Sequence, residues 1–315
     1  MTFGELTNIL LYENENYGTI HQCVHMLHDF YASITGITAE QTSDRNLFLP
    51  NGKAISPGQA ANCLLDLRRT TTFLRGIHKA ILKLQQNFPG QPLNVLYAGC
   101  GPYATLLTPL TTIFTPDQVR FHLVDVHQES LNAVEKLYAH LQTSNYIEAL
   151  ICQDASTYRM EKPMHLVICE AMQSALEKEP QVAITLNLVP QLQLGAIFIP
   201  QEVKVTAHLL DRDQEMNSFF EGAAVPERIF LGNVYAISQD ACLVPEPVSL
   251  DIPPAVSSFN EIYLLTEVTV FEDERLTIYN CGVTLPKKLA DVNGEGSIMV
   301  GYEMGARPGF RLVRG

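Results

Sequence analysis

Residues 94 to 107, Asn-Val-Leu-Tyr-Ala-Gly-Cys-Gly-Pro-Tyr-Ala-Thr-Leu-Leu, constrain the fold more than any other stretch of the chain. Val95 to Ala98 is a short apolar run that reads as a buried strand, and it empties into Gly99-Cys100-Gly101. Ala104 to Leu107 then read as the start of a helix. A strand that turns on glycines into a helix brings backbone N–H groups close to a ligand, an approach that a Cβ would block. Many such turns bind nothing, so the next strand matters. Val119 to Val124 ends at Asp125, whose carboxylate is placed to accept hydrogen bonds from ribose hydroxyls. Together they point to a nucleoside-containing cofactor. From Leu93 to about Pro200 apolar runs alternate with helical patterns such as Gln128 to Leu141, which reads as a parallel sheet covered on both faces.

The details of the turn bear on which cofactor. A dinucleotide fingerprint wants G-x-G-x-x-G with a helix N-terminus facing a pyrophosphate, and Ala104 in the last position is tolerated there. The stretch resembles more closely the first motif of class I S-adenosylmethionine-dependent methyltransferases, an apolar strand and an acid followed by G-x-G-x-G. It departs twice, with Tyr97 at the acid and Tyr103 at the third glycine.

Further motifs resemble the protein arginine methyltransferases. Leu64-Leu65-Asp66-Leu67-Arg68-Arg69-Thr70-Thr71-Thr72-Phe73 is similar to their M-L-x-D-x-V-R-T-x-x-Y element. The resemblance implies that Arg69 pairs with the donor carboxylate, a task that suits a guanidinium with two parallel donors. The plain alternative is a solvated helix face with an Asp66–Arg69 ion pair at i, i+3. Downstream, His165 to Cys169 reads as a strand ending at Glu170, and Glu179 follows nine positions later. The family carries two glutamates at this interval, which implies that Glu170 and Glu179 are the catalytic pair holding a cationic nitrogen. Two carboxylates can fix and stabilise such a cation while one nitrogen attacks the methyl group. Glu177 is a substitute within reach, and Glu177 and Glu179 also fit ordinary surface charges before Pro180. Ile151 to Ala155 places Asp154 and Ala155 where the family binds the adenine edge. The resemblance thus implies S-adenosyl-L-methionine held by Arg69, Gly99, Cys100, Gly101, Asp125, Asp154, Ala155 and Glu170, and it covers roughly residues 60 to 210.

Beyond residue 210 the match fades. The family's C-terminal barrel carries a threonine-histidine-tryptophan loop, and this chain has no tryptophan. Only a reduced dimerisation arm fits between Asp211 and Asp240. A small cationic acceptor, such as free arginine, another guanidine or amine, or a biosynthetic intermediate, is therefore favoured over a protein tail. Two alternatives stay open: another small-molecule N- or O-methyltransferase, and a non-catalytic protein that binds the cofactor or a partner.

The organisation reads as three parts. Residues 1–88 form a helical segment, with helices over Tyr17 to Ser33 and Pro57 to Phe88 and a polar loop around Thr42 to Gly52. Residues 89–200 form the Rossmann-like donor domain. Residues 201–315 form a β-rich, barrel-like unit with strands at Glu202 to Leu210, Ile229 to Ser238, Glu261 to Phe271 and Ser297 to Tyr302, for substrate or for oligomerisation, a homodimer among the options. A net charge of −13 disfavours nucleic acid and suits a cationic substrate. No apolar run is long enough to span a bilayer and no signal peptide is read, so a cytoplasmic location is expected. Seven scattered cysteines without a C-x-x-C support neither a zinc ribbon nor a disulfide scaffold. His21, His25 and His28 share one helix face, where they would bind a metal, reach substrate, or simply pack; no metal site is assigned.

Overall fold

The fold was analysed in a computed structural model, which describes residues 1–13, 16–38, 40, 45–221, 226–254, 259–292 and 294–313. The first helix, α1 (Phe3–Tyr12), starts at a capping box in which the Thr2 and Glu5 side chains satisfy each other's backbone N–H groups. Helix α2 (Tyr17–Thr35) starts at the Asn16 cap and stops at Gly36, whose φ of 80° ends it in the left-handed region. The expected polar loop lies outside the described residues at 42–44. Its remainder is a hairpin, β1 (Leu47–Leu49) and β2 (Gly52–Ala54), turning at Pro50-Asn51.

The single helix expected over Pro57 to Phe88 is in fact two. Helix α3 (Pro57–Asn62) begins at the Ser56 cap, a tight turn covers Cys63–Leu65, and α4 (Leu67–Asn87) follows. The break falls at Asp66, with φ −77° and ψ 88°. Its carboxylate accepts the Gly282 N–H at 3.0 Å rather than serving a helix of its own.

The central sheet contains β3 (Leu93–Ala98), β4 (Val119–Asp125), β5 (Ile147–Cys152), β6 (Leu166–Cys169) and β7 (Ile197–Ile199), all parallel in the order β5-β4-β3-β6-β7. Helices α5 (Gln128–His140) and α6 (Gln181–Leu188) flank it. Leu96, Val167 and Phe198 bury one face, and Val95, Phe121 and Leu166 join the larger core on the other. The chain leaves β3 towards β4 and β5 on one side, then returns to β6 and β7 on the other. A crevice opens at that reversal, outside the carboxyl ends of β3 and β4 on one side and β6 on the other.

The helix expected from Ala104 does not form. Residues 101 to 108 run as turns, Ala104 takes φ 43°, and only a short 3₁₀ turn follows at Pro109–Thr112. Pro102 and Pro109 each remove a backbone donor, and the Thr108 hydroxyl bonds the Tyr103 carbonyl at 2.5 Å. Tyr103 explains its presence at a glycine position. It is fully buried, and its hydroxyl donates to the Ile37 carbonyl, pinning the end of α2 to the glycine turn.

The C-terminal third begins with β8 (Glu202–Leu210), α7 (Arg212–Glu221), β9 (Arg228–Ser238), β10 (Val248–Ile252) and β11 (Glu261–Phe271). It ends with β12 (Glu274–Leu276), β13 (Lys287–Asp291), β14 (Gly296–Glu303) and β15 (Gly309–Val313). One antiparallel sheet runs β12-β11-β8-β9 with β13 also paired to β11, and a second runs β10-β14-β15. The segment from Asp211 to Asp240, expected to hold a reduced arm, contains α7 and β9, and β9 is an ordinary member of the first sheet. Helix α4 packs on β11 through Gly76, where a Cβ would lie 2.5 Å from Val270 Cγ1.

Replacing Tyr103 by Phe leaves the buried Ile37 carbonyl without this donor. The expected loss is about 1–3 kcal/mol of stability, read as a fall in denaturation midpoint with unchanged far-ultraviolet dichroism; an unchanged midpoint would contradict the pinning role.

Candidate active site

A cleft with about 960 Å³ of empty space, part of it open solvent, lies at the crevice. Arg69, Gly99, Cys100, Gly101, Asp125, Asp154, Ala155, Glu170 and Glu179, nine residues from five separate stretches of sequence, all line it. The fold thus brings together the nine residues named for the donor and for the glutamate pair. Glu177 is not among the lining residues. Its carboxylate is occupied by Lys287 at 2.8 Å and Lys178 at 3.0 Å, so it does not stand in for Glu179.

The glycine turn works by shape. Gly99 and Gly101 take φ 73° and 65°, and a Cβ on Gly99 would meet only the Ala171 Cβ, at 3.9 Å. The Gly99 and Cys100 N–H groups both donate to the Val124 carbonyl, at 2.9 and 3.1 Å. The Gly101 N–H donates to Asp125 Oδ2 at 2.9 Å. This corrects the expectation that these donors face a ligand. Asp125 Oδ1 accepts the His127 N–H at 2.8 Å. Each oxygen keeps a second lone pair for a hydroxyl. Burial raises the Asp125 carboxyl above its ordinary value, against the lowering pull of the His127 and Gly101 N–H groups. Asp154 Oδ1 accepts the Ser156 N–H at 2.8 Å, which shapes the loop beyond β5.

Arg69 does not lie on a solvated face, and its partner is not Asp66. The Arg69 side chain is 13 % exposed on the first turn of α4, and its Nη2 donates to Glu170 Oε2 at the end of β6. The Glu170 charge keeps Arg69 protonated despite burial. Burial lifts the Glu170 carboxyl, and the Arg69 charge and hydrogen bond pull it back in part. Glu170 Oε1 is buried with no hydrogen-bond partner. An unpartnered buried carboxylate oxygen is costly, so it marks a place where a ligand cation belongs.

Glu179 is not a surface charge either; it is 6 % exposed. Gln173 Nε2 donates to its Oε1 at 2.7 Å. Burial raises its carboxyl, with Glu170 adding to the rise and Arg69 and Lys53 opposing it. The loop between the two glutamates is strained: Ala175, Leu176 and Lys178 have φ 53°, 53° and 65°. Such non-glycine backbone persists only where the surroundings enforce it. The C-terminal strands do so here. Thr266 Oγ1 accepts the Ala175 N–H at 2.8 Å, the Tyr302 hydroxyl donates to the Leu176 carbonyl at 2.7 Å, and the Lys178 N–H donates to the Pro308 carbonyl at 2.8 Å.

Sequence reasoning missed the hairpin. Leu49, Lys53, Ala54 and Ile55 line the cleft, and the Lys53 N–H donates to the Lys178 carbonyl at 2.7 Å. Asn51 Nδ2 donates to Ser156 Oγ at 3.0 Å, so the hairpin reaches from the Asp154 loop to the Glu179 loop. The Asn51-Gly52 pair between two apolar runs is the turn signal that could have found it. Tyr97 and His127 also line the cleft. His21, His25 and His28 do not. His21 and His25 sit on the exposed face with ring nitrogens 3.1 Å apart, and His28 packs inward, its ring 6.1 Å from that of Tyr103. Among the described residues no cluster of three potential metal ligands occurs, and all seven cysteines are free. No helix among them is long and apolar enough to cross a membrane.

No protein-family model and no curated protein sequence matches the chain. Its fold is found among solved structures. A chain from the Trypanosoma brucei PRMT1 enzyme–prozyme heterotetrameric complex with AdoHcy superposes with a TM-score of 0.53 at 12% identity, over 79% of this chain and 88% of that one. Arabidopsis thaliana protein arginine methyltransferase 10 superposes with a TM-score of 0.53 at 10% identity, over 79% and 88%. The fold is that of the class I methyltransferases: a Rossmann-like parallel sheet with N-terminal helices and a β-rich C-terminal part.

Because burial raises the folded pKa of Glu179 above its unfolded value, its contribution to stability is present below the unfolded pKa and lost as pH rises through the folded one. The Glu179→Gln variant should therefore melt no lower than wild type at pH 7.5, with the difference shrinking towards pH 4. Thermal scans at both pH values check this, and a large loss at pH 7.5 would contradict it.

Proposed function

We propose that the cleft binds S-adenosyl-L-methionine and that the protein is an N-methyltransferase acting on a guanidinium or amine nitrogen of a small cationic acceptor. The observation that carries this reading is Glu170: one oxygen holds the buried Arg69 and the other is buried and unpartnered beside Glu179. The lining residues suit a nucleoside that lacks phosphate. The glycine-turn donors are consumed within the protein, and no α-helix N-terminus follows the turn to hold a pyrophosphate. That disfavours a dinucleotide. The fold likeness to arginine methyltransferases agrees with the reading.

Gly99 and Gly101 would admit the nucleoside close to the backbone, Asp125 would accept from ribose hydroxyls, and Asp154 and Ala155 would border the base. Arg69 uses one nitrogen on Glu170 and has others to offer the donor carboxylate. Tyr97 occupies the place of the family's acid, so an uncharged ring borders this end of the site. Bound there, the donor supplies an electrophilic methyl group on a sulfonium. Glu170 Oε1 and Glu179 would grip the cationic acceptor, orient one nitrogen towards the methyl carbon, and stabilise the charge that nitrogen keeps during attack. The carbon–sulfur bond would break as the carbon–nitrogen bond forms; a guanidinium nitrogen would release its proton to solvent or a glutamate after attack, whereas an ammonium would have to release one beforehand to free its lone pair.

The test is transfer of labelled methyl from the donor to a panel of guanidines and amines, identified by mass spectrometry. Wild type should methylate at least one nitrogen acceptor, and Glu170→Gln should fall at least 100-fold in kcat/KM. Methylation confined to hydroxyl acceptors, or equal turnover by the variant, would refute the assignment. Both glutamates must be ionised to hold the cation, and burial raises both. The acid limb of kcat/KM should therefore lie above the ordinary carboxylate range of about 4; a limb at or below it would contradict their role.

A further inference from the structure

Two non-histidine cationic residues line the cleft, Arg69 and Lys53. Arg69 is neutralised by Glu170. The Lys53 ammonium acts on Glu179 electrostatically, but among the described residues no carboxylate forms a close ion pair with it, whereas Lys178, Lys287 and Lys288 nearby in the fold all have acidic partners in contact. Lys53 is also fixed in place. Its own N–H holds the Lys178 carbonyl, and the adjoining Gly52 is pressed against the Glu179–Pro180 backbone, where a Cβ would meet Pro180 N at 2.9 Å and Glu179 C at 3.0 Å. The same strand therefore closes over the loop that carries Glu179. A lysine near two carboxylates meant for a cation would repel a purely cationic acceptor, unless that acceptor also brings an anion.

Resting on the reading of the cleft as a methyl-transfer site, we propose that its acceptor is a zwitterion, whose cationic nitrogen goes to Glu170 and Glu179 and whose anionic group, a carboxylate or its equivalent, goes to Lys53. Lys53 is thus a specificity-determining residue supplied by the β1–β2 hairpin. The division of labour is electrostatic. Two glutamates and one arginine leave the acceptor end one charge negative, and Lys53 brings that count to neutral only at the hairpin side. A small molecule with opposite charges at its two ends matches both poles, whereas a diamine or an alkylguanidine matches one. The hairpin covering the Glu179 loop also fits a compact acceptor better than a polypeptide threaded through the site.

The test uses the full-length protein saturated with S-adenosylhomocysteine, with calorimetric titration of three pairs that differ only by a carboxylate. These are L-arginine and agmatine, L-lysine and cadaverine, and guanidinoacetate and methylguanidine. Wild type should bind the carboxylate-bearing member of at least one pair about tenfold more tightly. Lys53→Met should abolish that preference by weakening the zwitterion while leaving its carboxylate-free partner equal or tighter, since a repelling charge is gone. A merely structural role for Lys53 would weaken both members alike, and that result overturns the inference. So does a wild type that binds neither member of any pair, or binds both equally. Failure of the donor-site reading is recognised separately, by absence of S-adenosylhomocysteine binding in the first step.

Discussion

The buried ion pair between Arg69 and Glu170 is the contact on which the site depends. It joins the first turns of α4 to the end of β6, so the N-terminal helices and the central sheet meet at the centre of the cleft. Removing one partner would leave an uncompensated buried charge, which typically costs about 3–5 kcal/mol. The pair therefore fixes geometry at a place where a loose guanidinium could collapse onto either glutamate. It also leaves each partner half used, with nitrogens on Arg69 and Oε1 on Glu170 still available. A donor carboxylate and an acceptor cation can add to this pair without breaking it.

Other parts of the molecule hold that centre from outside. Asp66, three residues before Arg69, gives its carboxylate to the Gly282 N–H, which ties the start of α4 to the C-terminal region. Thr266, Tyr302 and Pro308 hold the strained loop ahead of Glu179, and the hairpin closes on the same loop from the other side. The C-terminal β structure thus acts on the site by setting loop conformation. None of its strands needs to touch a ligand for this. Tyr103 does the corresponding task for the glycine turn, through Ile37 at the end of α2.

Much of this was legible in the sequence. Strands β4 and β11 are marked by continuous or alternating β-branched and aromatic residues, and the acids at the ends of β4 and β6, Asp125 and Glu170, stand out because they interrupt apolar runs. Arg69, Glu170 and Glu179 were singled out through motif spacing, and the fold gathers all three at one cleft. What spacing could not show was partnership. Asp66 and Arg69 sit at i, i+3, yet the fold sends one to Gly282 and the other to Glu170. The helix after the glycine turn failed because Pro102, Pro109 and the Thr108 hydroxyl compete locally with helical hydrogen bonds, a conflict that apolar periodicity does not register. The hairpin escaped because three-residue strands carry almost no periodic signal, leaving only Asn51-Gly52 to announce it.

The most direct test of the account is calorimetric titration of S-adenosylhomocysteine into wild type and into an Arg69→Met variant. Micromolar binding by wild type, lost at least 100-fold in a variant that still folds, is the predicted result. Absence of binding by wild type, or equal affinity in the two proteins, would contradict the assignment of this cleft and of its buried arginine.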